Sequence, residues 1–114
     1  IIGETDEVIS IEKILKEKFP HLSICRSHAN FLEVMHKSAT KGNAVRFLED
    51  YFHVKMEECV AFGDNFNDLD MLESVGLGVA MGNAPDEIKQ AANRVTASHN
   101  DDGIALILNE IFPE

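Results

Sequence analysis

The sequence is short of positive charge. It holds 10 Lys and Arg against 20 Asp and Glu, for a formal net charge of −10. A chain this acidic repels a phosphate backbone, which argues against general nucleic-acid binding. The same acidity opposes anionic substrates unless a bound cation and local lysines reverse the field at the site. Only two cysteines occur, Cys25 and Cys59, far apart and each beside apolar residues. They read as small buried hydrophobes of a reduced, cytoplasmic protein rather than as a disulfide. No apolar run approaches the roughly 20 residues of a membrane span. No charged segment followed by an apolar stretch opens the chain, so no signal peptide is visible. The first residues are Ile1-Ile2-Gly3, without a methionine, and a piece of a longer protein is expected. No internal repeat or low-complexity tract appears. The five histidines, His21, His28, His36, His53 and His99, are scattered without a ligand spacing. What is present is an ordinary globular balance over 114 residues, 45% hydrophobic and 26% charged, enough for a small domain with a core.

Apolar residues from Val8 to Phe19 recur at helical spacing, and Pro20 closes the helix. Leu22 to Arg26 begins with the alternation of a half-buried strand, 27–30 is a turn, and Phe31 to Met35 is a second strand. Lys37 to Thr40 is a polar connector. From Lys41 a helix runs to about Phe52. The wholly apolar run Cys59-Val60-Ala61-Phe62 suits a strand covered on both faces, as in a parallel sheet. A helix follows over about 67–74, then a strand at 77–81, a helix opened by Pro85, a short strand at 94–97 and a closing helix at 103–112. Alternation of this kind predicts a parallel, doubly wound α/β layer after Lys41. The helix-strand-strand order before Lys37 is closer to an α+β layer, so a domain boundary is placed near His36 to Thr40.

In open α/β sheets ligands gather beyond the carboxyl ends of the strands. The apolar run ends at Gly63-Asp64, which puts Asp64 at such an edge, with Gly63 allowing a sharp turn. Asp68 lies four residues on, inside the new helix, and can face back toward the strand end. Asn67 sits at the helix start, where free amide N–H groups point outward. Two carboxylates and an amide suit a hard cation, and magnesium prefers oxygen ligands while keeping several waters. The competing reading is structural: Asn65 or Asn67 caps the helix, and Asp68 is a first-turn acid. More acids and amides cluster here than capping needs. Asp70 reads as a solvated acid and Asn83 as a helix cap. Lys41 opens a helix, where the dipole disfavours a cation. Followed by Gly42, it invites an anion between its ammonium and the helix amides, although most single lysines are simply exposed. Met35, Met71 and Met81 read as core filler. His28 and Asn30 read as surface turn residues that could face a substrate.

The run 61–72, with Gly63-Asp64-Asn65-Phe66-Asn67-Asp68 at its centre, resembles the fourth motif of the haloacid dehalogenase superfamily, and more narrowly of its Cof-type sugar-phosphate and cofactor phosphatases. Residues 76–84 resemble the stretch that follows that motif, which implies a place for Asn83 near the active-site rim, where it could take a minor site role. Residues 40–44 resemble the third-motif lysine segment, Glu33-Val34-Met35 the last strand of a mobile cap, and 101–105 the start of the closing helix. The resemblance implies an α/β fold: residues 1–36 as the C-terminal portion of a cap domain, and 37–114 as the second half of a Rossmann-like hydrolase core. It implies that Asp64 binds Mg²⁺ and that Asp68 supports the metal or orients its neighbours. Asn67 would contact the transferring phosphoryl group, and Lys41 would hold the phosphate and the nucleophile together. The expected substrate is a small phosphorylated metabolite.

The family's nucleophile lies in an Asp-x-Asp-Gly-Thr segment, and no such segment exists in this sequence. The Ser or Thr of its second motif is not recognisable either. Asp101-Asp102-Gly103 has no buried strand ending on it and no second Asp at the right offset. The expectation is therefore an enzyme whose nucleophile belongs to a missing N-terminal half, with this piece inactive alone. The alternative is a truncated, non-catalytic interaction module with a vestigial metal loop. A receiver-type domain fits less well, because its lysine follows the phosphorylated aspartate, whereas Lys41 precedes Asp64.

Overall fold

A computed structural model describes residues 1–113. Helix α1 (Thr5–Lys18) starts three residues before the expected Val8, with Asp6 and Glu7 in its first turn and Lys16 and Lys18 in its last. Acids at the start and lysines at the end both complement the helix dipole, which explains the longer helix. Strands β1 (Leu22–His28) and β2 (Phe31–His36) pair antiparallel, with Ile24 opposite Val34 and an irregularity between Arg26 and His28. The turn between them is tighter than expected, confined to 29–30. Val8, Ile24 and Leu32 form a buried cluster beneath α1, with Ile11, Leu15 and Leu22 packed against it. Strand alternation sends Ser23, Cys25, Glu33 and Met35 to the other face.

After a short connector, α2 (Lys41–Phe52) is capped by Thr40, whose Oγ1 accepts from Asn43 N–H at 3.2 Å. It ends at His53 in the left-handed region (φ 55°), a common helix stop. Next come β3 (Val60–Gly63), α3 (Leu69–Ser74), β4 (Leu77–Ala80), α4 (Asp86–Ala91), β5 (Arg94–Val95) and α5 (Gly103–Ile111). The sheet order is β3-β4-β5, all parallel, with Val60 beside Leu77 and Gly63 beside Ala80. The core of this unit is built on Leu72, Ile88, Ala80 and Met56. Three 3₁₀ turns, Met56–Glu58, Phe66–Asp68 and His99–Asp101, lie where no separate element was expected. The strand at 94–97 shrinks to two residues: Thr96 N–H still donates to Ala80 O at 2.9 Å, while its hydroxyl donates to Gly103 O at the start of α5.

Both cysteines are free and half-buried, not fully buried as expected. Cys59 sits at the margin of a buried cluster, and Cys25 lies on the strand face away from the one beneath α1. Met81 is buried, while Met35 and Met71 are only partly so. The exposed face of α2 carries Phe47, Tyr51 and Phe52, each more than 60% exposed. No helix among the described residues is long and apolar enough to cross a membrane.

Candidate active site

The site is built where β3 stops. Asp64 emerges from the carboxyl end of the strand, and the chain turns at once into Phe66–Asp68 and then α3. Gly63 does not adopt a left-handed conformation, contrary to the expected sharp turn. Glycine is needed there for space: a Cβ at Gly63 would lie 2.5 Å from that of Asp68. Asp68 is folded back against the strand end and only 4% exposed. Its Oδ2 accepts the N–H groups of Asp64 (2.9 Å) and Asn65 (3.1 Å). Its Oδ1 accepts from the Lys41 ammonium. Asn65 does cap the turn, its Oδ1 accepting Phe66 N–H at 3.1 Å. The capping reading therefore holds for Asn65, while Asp68 does more than sit in a first turn: it ties Lys41 to the Asp64 loop across 27 residues of sequence.

Lys41 stands at the start of α2, and that helix end is docked on α3. Gly42 N–H donates to Asp70 Oδ2 at 3.0 Å, and Arg46 Nη2 donates to Ser74 Oγ at 2.8 Å. Asp70 is thus half-buried and engaged, not the solvated acid expected. Asn83 is not the cap of α4 either, since that helix has no side-chain cap. Its Nδ2 donates to Asp64 Oδ2 at 2.9 Å instead. Both corrections have one origin: the partners are distant in sequence and no local pattern announces them.

A cavity of about 350 Å³ opens beside this loop. Lys41, Asn67 and Phe66 line one side, and Ser23, Cys25 and Glu33 of the β1–β2 face line the other. Burial pushes the Cys25 thiol up from its ordinary value, with the Glu33 carboxylate adding to the effect. Arg26 reaches across from β1 and lies 4.3 Å over the Phe66 ring. Its Nε is 2.8 Å from Glu12 Oε2, close enough for an ion pair but out of line for a hydrogen bond. Sequence reasoning missed this bridge, because nothing in either local pattern points to the other. His28 and Asn30 are exposed, and His28 meets Phe31 edge-on with ring centres 5.5 Å apart.

Asp64 Oδ1 has no donor among the described residues, whereas both oxygens of Asp68 are taken. Among the described residues no group of three or more His, Cys, Asp or Glu gathers as a closed metal cage. The available donor set is one half-buried carboxylate at a strand end. That fits a hard cation such as Mg²⁺, which keeps several waters and takes one or two protein carboxylates.

A family model described as haloacid dehalogenase-like hydrolase matches residues 1–108. A protein of Haemophilus influenzae provisionally named a phosphatase is 81% identical over 114 residues, covering 100% of this chain and 44% of the relative. The 5-amino-6-(5-phospho-D-ribitylamino)uracil phosphatase YitU of Bacillus subtilis is 46% identical over 81 residues, 71% of this chain and 30% of that protein. A solved haloacid dehalogenase-like hydrolase from B. subtilis superposes with a TM-score of 0.89 at 32% identity, over 97% of this chain and 39% of its own. A subclass IIB sugar phosphatase superposes with a TM-score of 0.84 at 35% identity, over 90% and 40%. The chain spans less than half the length of each of these relatives.

Proposed function

The chain belongs to the haloacid dehalogenase-like hydrolases, and from that premise we propose that the whole protein is a Mg²⁺-dependent phosphatase of small phosphate monoesters, sugar or cofactor phosphates. Residues 37–114 serve as the second half of its hydrolase core and 1–36 as the end of its cap. The observation that carries this reading is the Lys41–Asp68 link, which fixes a cation beside the Asp64 loop at the mouth of a metabolite-sized cavity.

In this reading Lys41 binds the phosphoryl oxygens and the nucleophile, and Asn67, on the same side of the cavity, donates to the phosphoryl group. Asp64 is the metal carboxylate. Asp68, with both oxygens occupied, orients Lys41 and the loop rather than binding metal directly. Bound Mg²⁺ would neutralise charge on the transferring group. The nucleophilic aspartate comes from an Asp-x-Asp-Gly-Thr segment in the remainder of the protein, which forms an aspartyl-phosphate. That remainder packs on the open side of β3 and the apolar face of α2. The isolated 114 residues are then inactive.

The test is hydrolysis of an aryl phosphate by the full-length protein. Turnover is expected to need Mg²⁺, and Asp64→Ala and Lys41→Ala are each expected to lower it by about 10²-fold or more. Appreciable Mg²⁺-dependent turnover by residues 1–114 alone would sink the assignment of the nucleophile to another segment.

A further inference from the structure

Asn83 reads in the sequence chiefly as a helix cap, yet its side chain is held between Asp64 and His99. The backbone delivers it. Met81 N–H donates to Gly63 O at 2.9 Å, so the turn after β4 begins beside the residue that precedes Asp64. Gly82 N–H then donates to Ala97 O at 3.0 Å, drawing the same turn onto the segment that leads into His99–Asp101. Between these anchors the Asn83 side chain uses both ends of its amide. Nδ2 donates to Asp64 Oδ2 at 2.9 Å, and Oδ1 accepts His99 N–H at 3.1 Å.

The two bonds fix the amide's orientation. Turning it over would set an oxygen against the carboxylate and an NH₂ against an N–H, which is repulsive at both ends. An amide clamped at its far end can hold a carboxylate better than a free one, because little rotamer freedom remains to be lost. The donor meets only one oxygen of Asp64, and the other has no donor among the described residues.

We propose that Asn83 is a positioning residue for Asp64: it holds Oδ2 in place so that Oδ1 is presented to the cation. His99, through its backbone N–H, is the outer anchor. This rests on the reading of Asp64 as the Mg²⁺ carboxylate. Partners of this kind, which touch a ligand residue and not the metal, commonly change metal affinity by about 10–100-fold.

The experiment is calorimetric Mg²⁺ titration of the full-length protein without substrate, alongside thermal unfolding of the metal-free form. Asn83→Ala is expected to raise the Mg²⁺ dissociation constant about 10-fold, near the lower bound because Asn83 is exposed. Its hydrolysis rate should recover toward wild type at saturating Mg²⁺. His99→Pro removes the outer donor and sets the proline Cδ against Asn83 Oδ1, so the amide loses its outer anchor. Ser98 has φ −62° and ψ 159°, a conformation accepted before proline, and His99 is the first residue of its turn. It is expected to weaken Mg²⁺ in the same direction, by less. Asp64→Ala should abolish binding. A wild-type dissociation constant in Asn83→Ala, with binding lost in Asp64→Ala, overturns the role of Asn83 alone. The same constant with only a lowered melting temperature overturns it too, leaving a structural residue. Full Mg²⁺ affinity in Asp64→Ala overturns the metal reading beneath it.

Discussion

Burying a carboxylate is unfavourable unless donors replace the lost water, and Asp68 has three: two backbone N–H groups and the Lys41 ammonium. The lysine side chain is 50% exposed, so its ion pair is screened and contributes little by itself. The two backbone amides dominate. Asp68→Asn keeps the shape but turns an NH₂ toward one set of donors. It is expected to destabilise the fold by about 1–3 kcal/mol, read as a lower urea midpoint at unchanged slope. A wild-type midpoint would show that the amides do not depend on the charge. Cys25 is a second residue-scale case. Its thiol pKa is raised above the ordinary 9.0 by burial and by Glu33, so folding favours the neutral form. That contribution is complete below the unfolded value and is lost as pH climbs through the folded one. Alkylation of Cys25 in the native protein should therefore be slower than in urea at about pH 8, and stability should decline as the solution becomes more alkaline than 9.0.

At the scale of elements, the site depends on how α2 meets α3. A Cβ on Gly42 would lie 2.6 Å from Asp70 Oδ2 and 3.0 Å from its backbone oxygen. Gly42→Ala gains up to about 1 kcal/mol in helix propensity. Overpacking costs roughly 1–3 kcal/mol and is expected to win, because one of the two contacts is backbone and cannot rotate away. The substitution should lower stability and raise KM in the full-length protein as Lys41 is pushed off its place. In an Asp70→Ala background the penalty should shrink, and equal penalties in both backgrounds would place the strain elsewhere. Most elements were legible in the sequence, since the apolar spacing of 41–52 fits a helix and the short, wholly apolar run before Gly63 suits a strand covered on both faces. The ends were less so: α1 reaches back to Thr5 through dipole-favoured acids, and the turn Phe66–Asp68 tightens because Asp68 bonds backwards.

For the molecule as a whole, the radius of gyration is 15.4 Å, against about 13 Å for a single compact domain of this length. The buried residues fall into two separate clusters. Arg26 on Phe66 joins the β1–β2 layer directly to the Asp64 loop. Phe66→Leu keeps apolar volume and removes the ring face. A double-mutant cycle with Arg26→Met should return a coupling of roughly 0.5–1 kcal/mol. A coupling near zero would mean that the layers are held together by other contacts.

By itself the sequence determined the class of the chemistry. Gly63 through Asp68 after an apolar strand, with Lys41 opening an earlier helix, carries the resemblance to the family and the cation and phosphate site proposed above, since period and residue type are local properties. Only the tertiary structure decided how the parts divide the work. Asp68 latches Lys41, Asp70 docks α2, and Asn83, in the turn before α4, donates to Asp64. Each of these bonds joins residues 19 to 28 positions apart, or 27 for the latch, across separate elements. A pairing at that range depends on how strands and helices pack, which no local pattern of residues encodes.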